Sequence, residues 1–193
     1  MTKPLALFYG DSRAADWPSP ELAAVRFANR GIPGDDTAGA LYRFPQDVAA
    51  LAPGIIVLQL GVNDLTMAIY APRRSEIIAT CQSNLRRIVS RSVDLGATLV
   101  LTMIFPPAAD PWAGWSRDHA NLADTIDAVN RDLRQLAGEQ VILFETEPLL
   151  AEQGRVKPAF ALDTLHLNRA GYAALNRALG PLLAGIISSQ LDR

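Results

Sequence analysis

The sequence has little of what disulfide bridges, metal sites and membrane spans require. Of its 193 residues only Cys81 is a cysteine, and only His119 and His166 are histidines. One cysteine cannot form a disulfide within the chain, and these three side chains do not make a zinc site by themselves. No run approaches the roughly 18 consecutive apolar residues of a membrane-spanning helix. We therefore expect no membrane span and no bound metal.

The chain also lacks a basic excess and a targeting segment. It has 18 Lys and Arg against 20 Asp and Glu, a net charge of −2, so we expect no nucleic-acid partner, because phosphates demand cationic side chains. The apolar run over residues 5–8 is too short for a secretory signal, which predicts a cytoplasmic protein. An apolar content of 49% excludes general disorder, and the length predicts one domain over 1–193.

Short apolar runs alternate with helical patterns along the chain. The runs that predict strands cover residues 5–9, 24–28, 55–60, 98–105 and 141–144. Such near-continuous runs are typical of strands buried on both faces of a parallel sheet. The helices predicted from three- and four-residue apolar spacing cover residues 75–94, 118–136, 168–179 and 182–191. Gly180 and Pro181 are expected to break or kink the last helix. The alternation predicts an α/β domain with a parallel sheet.

Candidate catalytic residues follow the predicted strands. Ser12 ends the tripeptide Gly-Asp-Ser after the first run, Asn63 lies in Gly-Val-Asn-Asp after the third, and Asp163 and His166 come after the fifth. In parallel sheets, ligands bind beyond the carboxyl ends of the strands. Acyl transfer needs a hydroxyl nucleophile, a base that takes its proton, a carboxylate that orients the base, and donors for the oxyanion. The sequence contains this set.

The segments that hold these residues resemble the four blocks of the SGNH hydrolases, which are also called GDSL esterases and lipases. The blocks are residues 10–12, 31–34, 61–64 and 163–166, in the family's order and across nearly the whole chain. The resemblance implies a flavodoxin-like, three-layer α/β/α sandwich with a five-stranded parallel sheet. It implies Ser12 as nucleophile, His166 as base and Asp163 as the partner that orients the base.

The same resemblance implies an oxyanion hole and no cofactor. The donors would be the backbone N–H groups of Ser12 and Gly34 and the side-chain amide of Asn63. Gly34 fits better than Gly31, because it directly precedes two acidic residues and a threonine. The family's chemistry requires neither a metal ion nor an organic cofactor.

Arg13 departs from the family pattern, which commonly has an apolar residue after the serine. One interpretation is a local ion pair, and the other is a contact with a polar or anionic part of the substrate. The candidate partners for an ion pair are Asp16, Asp35 and Asp36.

Four other side chains have a structural and a functional interpretation. Trp112 and Trp115 lie in the loop after the fourth predicted strand, where they either pack the loop or line an acyl or alcohol pocket. His119 is the rival base, but it lies in the first turn of a predicted helix beside charged residues, which indicates a surface role. Cys81 lies on the apolar face of a helix, which favours a buried, unreactive thiol.

The leading hypothesis is a serine-dependent hydrolase of short- to medium-chain acyl or aryl esters, with a small-molecule ester as its partner. A thioesterase, a lysophospholipase and a sugar O-deacetylase use the same triad and remain alternatives. A non-catalytic binding domain of the same fold is the alternative from another class. The last apolar stretch, residues 182–187, leaves both a monomer and a homo-oligomer open.

Overall fold

The computed structural model describes residues 3–110, 114 and 116–191, and a five-stranded sheet lies at its centre. The strands are β1 (Leu5–Gly10), β2 (Arg26–Gly31), β3 (Ile55–Gln59), β4 (Thr98–Thr102) and β5 (Val141–Phe144). They lie in the order β2-β1-β3-β4-β5, and all neighbouring pairs are parallel. This is the strand order of flavodoxin-like sheets, so the predicted fold class is confirmed.

Helices connect the strands and cover both faces of the sheet. The helices are α1 (Ser12–Ala15), α2 (Thr37–Asp47), α3 (Val62–Tyr70), α4 (Arg74–Asp94), α5 (Arg117–Arg134), α6 (Glu147–Leu150) and α7 (Arg169–Leu191). A two-stranded hairpin, β6 (Ala151–Glu152) and β7 (Arg155–Val156), follows α6. The short α1 matters most for the candidate site, because Ser12 is its first residue.

The core consists of two hydrophobic clusters, one on each face of the sheet. Because successive strand residues point to opposite faces, Leu7 and Ile56 belong to the cluster under α2, α3, α4 and α5, whereas Phe8 and Val57 belong to the cluster under α6 and α7. All five residues of β3 are buried. Double-sided burial explains why the central strands appear in the sequence as unbroken apolar runs.

The strand order reverses at β1, which has β2 on one side and β3 on the other. At such a switch point the connections leave in opposite directions, and a crevice opens beyond the carboxyl ends of the two central strands. Ser12 directly follows β1, and Asn63 lies in the first turn of α3, which follows β3. The topology therefore brings these two sequence-distant residues to one edge of the sheet.

Two strands differ from the predicted ranges. β2 covers 26–31 instead of 24–28, because its register pairs Arg26 with Leu5 and Gly31 with Gly10. As an edge strand it is largely exposed, so it lacks the apolar run that marks a central strand. β4 ends at Thr102, which pairs with the last residue of β5, and the apolar run continues to Phe105 because that loop is buried as well.

Of the break or kink predicted at Gly180 and Pro181, the break is wrong, since α7 continues through both residues to residue 191. A proline inside a helix costs about 3 kcal/mol through a lost hydrogen bond and a steric clash. Leu175 and Leu179 before the proline and Leu183 and Ile187 after it all pack into the same core cluster. Burial of these side chains outweighs the cost, so the helix remains in one piece.

Candidate active site

The turn after β1 presents Ser12 at the edge of the sheet. Gly10 has φ +145°, and a Cβ there would lie 1.7 Å from the carbonyl oxygen of Gln59, so only glycine fits. Asp11 caps α1, and its Oδ1 accepts the backbone N–H of Arg13 at 2.9 Å. Ser12 is the first residue of the helix and is 8% exposed. The Gly-Asp-Ser sequence thus encodes a tight strand-to-helix turn.

Ser12, His166 and Asp163 form a continuous hydrogen-bonded chain. The Ser12 Oγ lies 3.0 Å from His166 Nε2. The other ring nitrogen, Nδ1, lies 2.9 Å from Asp163 Oδ2 and 3.0 Å from Oδ1. Because a carboxylate can only accept, Nδ1 carries the proton and Nε2 is left to accept the serine hydroxyl. The structure therefore brings together the three residues that the sequence had singled out.

The carboxylate of Asp163 is held in its charged form. Burial acts to raise its pKa, but hydrogen bonds from the backbone N–H groups of Leu165 and His166 and from the His166 ring outweigh burial, and the pKa is lowered from its ordinary value. The two backbone bonds measure 2.8 and 2.7 Å. Asp163 thereby fixes both the ring and the main chain of His166.

The loop that carries Asp163 and His166 is closed on itself by Asn168. The Asn168 Nδ2 donates to the carbonyl oxygens of Ala159 and Ala161, at 2.9 and 3.1 Å. Its Oδ1 accepts the backbone N–H groups of Ala170 and Gly171 at the start of α7. One asparagine therefore joins the loop to the helix that follows it, which holds the histidine beside α1.

Gly34 and Asn63 lie on two segments that are joined to each other. Gly34 has φ +79°, in the region that favours glycine. Asp35 directly follows Gly34, and its carbonyl oxygen accepts a hydrogen bond from the Asn63 Nδ2 at 2.8 Å. This bond ties the loop after β2 to the first turn of α3, so both of the remaining oxyanion candidates lie at one edge of the sheet.

A buried polar network holds the start of α2 beside the same loop, and the structural role of Asp64 in it agrees with the expectation from its motif, whereas its partners were not predicted. Asp64 accepts both the hydroxyl and the backbone N–H of Thr37, at 2.7 and 3.0 Å. Asn84 donates to the Thr37 hydroxyl at 3.2 Å. Burial raises the pKa of Asp64, opposed by the bonds from Thr37. The partners lie on α2, α3 and α4, so no local sequence signal could have identified them.

The expectations for Arg13 are wrong. Its side chain is fully buried, so it has no surface for a substrate. Its guanidinium donates to the carbonyl oxygens of Leu165 and Phe105, both at 2.9 Å, and lies 3.8 Å from the centre of the Phe105 ring. Within the described residues it forms no ion pair with the expected partners, Asp16, Asp35 and Asp36.

The other base and nucleophile candidates belong to a helix cap and to the core. His119 caps α5, because its Nδ1 accepts the backbone N–H of Ser116 at 3.1 Å and the Ser116 hydroxyl lies 2.6 Å away. Cys81 is buried in the core, and burial raises the pKa of its thiol, which keeps it protonated. Trp112 and Trp115 lie outside the described residues.

A small cavity of about 140 Å³ adjoins the loop of Asp163 and His166. It lies between α3, the start of α5 and that loop, with Thr66, Tyr70, Asp118 and Leu165 in its wall. The Tyr70 hydroxyl lies 3.3 Å from Asp118 Oδ2, so the two side chains join α3 to α5 at the rim. The cavity is below the roughly 300–1,000 Å³ of pockets that enclose drug-sized ligands, so it suits a small group.

The part of the chain that the structure describes holds neither a candidate metal cluster nor a candidate membrane-spanning helix. Over 3–110, 114 and 116–191, no three side chains of His, Cys, Asp or Glu come close enough together to hold a metal ion. Among the helices of that same part of the chain, none has the length and apolar character needed to cross a membrane.

Comparison with known proteins agrees with this geometry. The profile of the GDSL-like lipase/acylhydrolase family matches residues 6–174. An acetylxylan esterase from Geobacillus stearothermophilus is 26% identical over 165 residues, which are 82% of this chain and 72% of that protein. The family profile spans both the turn of Ser12 and the loop of Asp163 and His166.

Solved structures share the fold. The acetylxylan esterase of Geobacillus stearothermophilus superposes with a TM-score of 0.69 at 22% identity, covering 91% of this chain and 92% of that chain. A GDSL-like lipase from Bacteroides thetaiotaomicron superposes with a TM-score of 0.76 at 18% identity, covering 95% and 89%. At such identities the likeness concerns the fold alone.

Proposed function

The chain belongs to the GDSL-like lipase/acylhydrolase family of hydrolases that act on esters, and from that premise we propose that it is a serine-dependent carboxylic ester hydrolase. The observation that carries the proposal is the chain of hydrogen bonds from Ser12 Oγ through the His166 ring to Asp163. A serine hydroxyl becomes a nucleophile when a neutral imidazole can take its proton. The direction of these bonds supports that role.

The reaction proceeds in two halves through an acyl-enzyme. Ser12 Oγ attacks the ester carbonyl carbon while His166 Nε2 takes the hydroxyl proton, and the carbonyl oxygen becomes an oxyanion. The C–O bond to the alcohol then breaks, and His166 gives its proton to the departing oxygen. Water attacks the acyl group in the second half, with the proton again passing to His166. Release of the acid returns the proton to Ser12.

Asp163 orients and stabilises the histidine in both halves. Its hydrogen bond to Nδ1 selects the tautomer in which Nε2 accepts, and its negative charge stabilises the imidazolium that forms. The backbone N–H groups of Ser12 and Gly34 and the Asn63 amide are the proposed donors to the oxyanion. Their support is the bond between Asn63 and Asp35, which holds the two loops together.

Among esters, we propose short acyl esters or small aryl esters as the substrates. The cavity beside the Asp163–His166 loop has about 140 Å³ and a partly apolar wall that includes Leu165. A second candidate substrate is an O-acetylated sugar. It is favoured by the likeness to an acetylxylan esterase and by the Tyr70 hydroxyl and Asp118 carboxylate at the rim, which could bind sugar hydroxyls.

Hydrolysis of p-nitrophenyl esters from acetate to decanoate tests the proposal, with Ser12→Ala beside the wild type. We expect the wild type to turn over, the acetate or butyrate ester to give the highest kcat/KM, and the variant to fall to background. Equal rates for the two proteins would contradict a serine nucleophile. Ser188→Ala is the matched control, because it removes a serine hydroxyl of α7 that lies in neither the triad nor the wall of the cavity.

The sugar candidate needs a second substrate. Release of acetate from acetylated xylooligosaccharides is compared with hydrolysis of p-nitrophenyl acetate, in the wild type and in Asp118→Asn. If the sugar binds at the rim, the variant loses activity on the oligosaccharide about tenfold and keeps its activity on the small ester. Equal changes on both substrates would remove the rim from the binding site.

A further inference from the structure

Arg13 is the residue after the proposed nucleophile, and it is a charged side chain with no exposed surface. Burial lowers the pKa of its guanidinium to about 10, against the opposing effect of Asp11, so it still carries its charge at neutral pH. A buried cation is costly to keep unless its donors are satisfied. The way these donors are used therefore indicates what the residue does.

The guanidinium joins three segments of the chain that meet at the site. It starts from the turn after β1, its Nη1 donates to the carbonyl of Phe105 in the loop after β4, and its Nε donates to the carbonyl of Leu165. It also stacks on the Phe105 ring, with 3.8 Å between its central carbon and the ring centre. The planar fork of arginine serves two acceptors at once, which lysine cannot do in the same way.

The carbonyl of Leu165 belongs to the peptide that leads into His166. The N–H of this same peptide donates to Asp163 Oδ1 at 2.7 Å. Its oxygen accepts from Arg13 Nε at 2.9 Å. The peptide is therefore held from both sides, by the cation next to the nucleophile and by the anion of the triad. Each of these two hydrogen bonds has one charged partner, the Arg13 guanidinium or the Asp163 carboxylate, and that charge strengthens the bond.

A second bond fixes the backbone from which the Arg13 side chain extends. The Tyr172 hydroxyl of α7 donates to the Arg13 carbonyl oxygen at 3.0 Å, in a buried setting. The Arg13 backbone N–H is taken by Asp11. The arginine thus has little freedom to shift, and its side chain transmits the position of the α1 turn to the histidine loop.

We infer that Arg13 is a positioning residue that sets the distance between Ser12 Oγ and His166 Nε2 through the 165–166 peptide. The inference rests on the proposed function, because it needs the serine–histidine pair to be the catalytic one. Arg13 itself touches neither substrate nor reacting atoms. Loss of its link lets the histidine loop move relative to the turn, and a displacement of about 1 Å can cost about 10²-fold in rate.

The test replaces Arg13 with leucine and with lysine and measures kcat and KM for p-nitrophenyl acetate. We expect Arg13→Leu to lower kcat about 10- to 100-fold with KM changed less than about threefold. Arg13→Lys keeps the charge and one of the two bonds, so its kcat should lie between the leucine variant and the wild type. An unchanged kcat in a folded Arg13→Leu protein would overturn the inference.

A change of stability alone would not produce this pattern. Leu183→Ala is the matched control, because it removes buried contacts in α7 about three helical turns beyond Tyr172, the residue that bonds the Arg13 backbone. It should lower the melting temperature and leave kcat within about twofold. If it lowers kcat as Arg13→Leu does, general loosening explains the effect and the inference is wrong. Should Arg13→Leu not fold, the comparison of Arg13→Lys with this control decides.

A double-mutant cycle separates an effect through the histidine from any other. In a His166→Ala background, Arg13→Leu should lower the residual rate less than about twofold, because the group it positions is gone. The same 10- to 100-fold loss in both backgrounds would show that Arg13 acts by another route. A wild type without esterase activity would contradict the proposed function instead, so the two failures are distinguishable.

Discussion

The two histidines of this chain have similar local settings and opposite hydrogen-bond directions. Each bonds a side chain three residues earlier, Ser116 for His119 and Asp163 for His166. At His119 the Nδ1 atom accepts a backbone N–H, so it has no proton when the ring is neutral. At His166 the Nδ1 atom faces a carboxylate and must donate. Only His166 therefore directs an unprotonated Nε2 at a serine hydroxyl.

The partner of Nδ1 therefore decides the role of each of these two histidines. A serine three residues earlier makes a capping box, in which side chain and backbone satisfy each other at a helix start. An aspartate three residues earlier makes an oriented base. Both arrangements are local, but only the second lies where the fold brings a distant serine within 3.0 Å.

The largest expected effect is the difference in kcat between two single variants, each of which lacks one imidazole. We expect His166→Ala to lower kcat by about 10⁴-fold or more, because the serine loses the group that takes its proton. His119→Ala should lower kcat by about tenfold at most, because His119 lines the small cavity but takes no part in the proton transfer. Steady-state hydrolysis of p-nitrophenyl acetate by both variants measures the contrast. Equal losses in the two variants would refute the assignment of the base.

Changing the partner of Nδ1 should have the next largest effect. Asp163→Asn keeps the shape of the side chain but replaces an acceptor by a group that can donate, so the ring can turn to the wrong tautomer. We expect a loss of about 10²- to 10⁴-fold in kcat, with little change in KM. A loss below tenfold would mean that the backbone around His166 orients the ring without the carboxylate.

The carboxylates of Asp163 and Asp11 should affect stability with opposite signs as the pH changes. The lowered pKa of Asp163 means that its contribution is present above the ordinary aspartate pKa of about 3.9 and is lost as the pH falls through the native value. Burial raises the pKa of Asp11 to about 6. The native state then holds that proton more tightly than the unfolded chain, so stability falls as the pH rises from about 4 to about 6.

Denaturant unfolding of the wild type and Asp11→Asn at pH 4 and pH 7 measures the second effect. Between these two values the wild type should lose about 1–3 kcal/mol of unfolding free energy relative to the variant. Parallel pH dependences in the two proteins would show that the Asp11 carboxylate does not titrate in this range.

Removing the cap that His119 shares should have the smallest effect. Ser116→Ala deletes the side-chain bonds at the start of α5, which costs about 1 kcal/mol of unfolding free energy. The expected loss in kcat is about threefold at most, because Ser116 lines the small cavity but belongs to no part of the triad. Chemical denaturation and ester hydrolysis of the same preparation check both statements. A large loss of activity without a loss of stability would contradict them.

Much of the fold could be predicted because the central strands are buried on both faces. β3 is apolar from Ile55 to Leu58 and is predicted at its observed start, whereas the edge strand β2 is polar and begins two residues later than predicted. The helix through Pro181 was missed for another reason. The packing that outweighs the cost of the proline involves side chains on both sides of it and cannot be judged from local sequence.

The candidate triad was predictable because its residues lie in short motifs, each beyond a strand or before the last helix. Ser12, Asp163 and His166 were identified in this way, and the geometry brings them together. Arg13 was misinterpreted because a charge next to a motif suggests an ion pair or a substrate contact, whereas its carbonyl partners lie 92 and 152 residues away. Every residue has a backbone carbonyl oxygen, so the residue type at positions 105 and 165 does not indicate that its carbonyl accepts a hydrogen bond from Arg13.

Labelling with a fluorophosphonate, followed by peptide mass analysis, is the most direct test of the serine nucleophile. The reagent forms a covalent bond with a serine that a neighbouring histidine activates. We predict one adduct per chain, located on Ser12, absent in Ser12→Ala and formed far more slowly in His166→Ala. An adduct on another residue, or equal labelling of the wild type and Ser12→Ala, would contradict the assignment of Ser12 as the nucleophile.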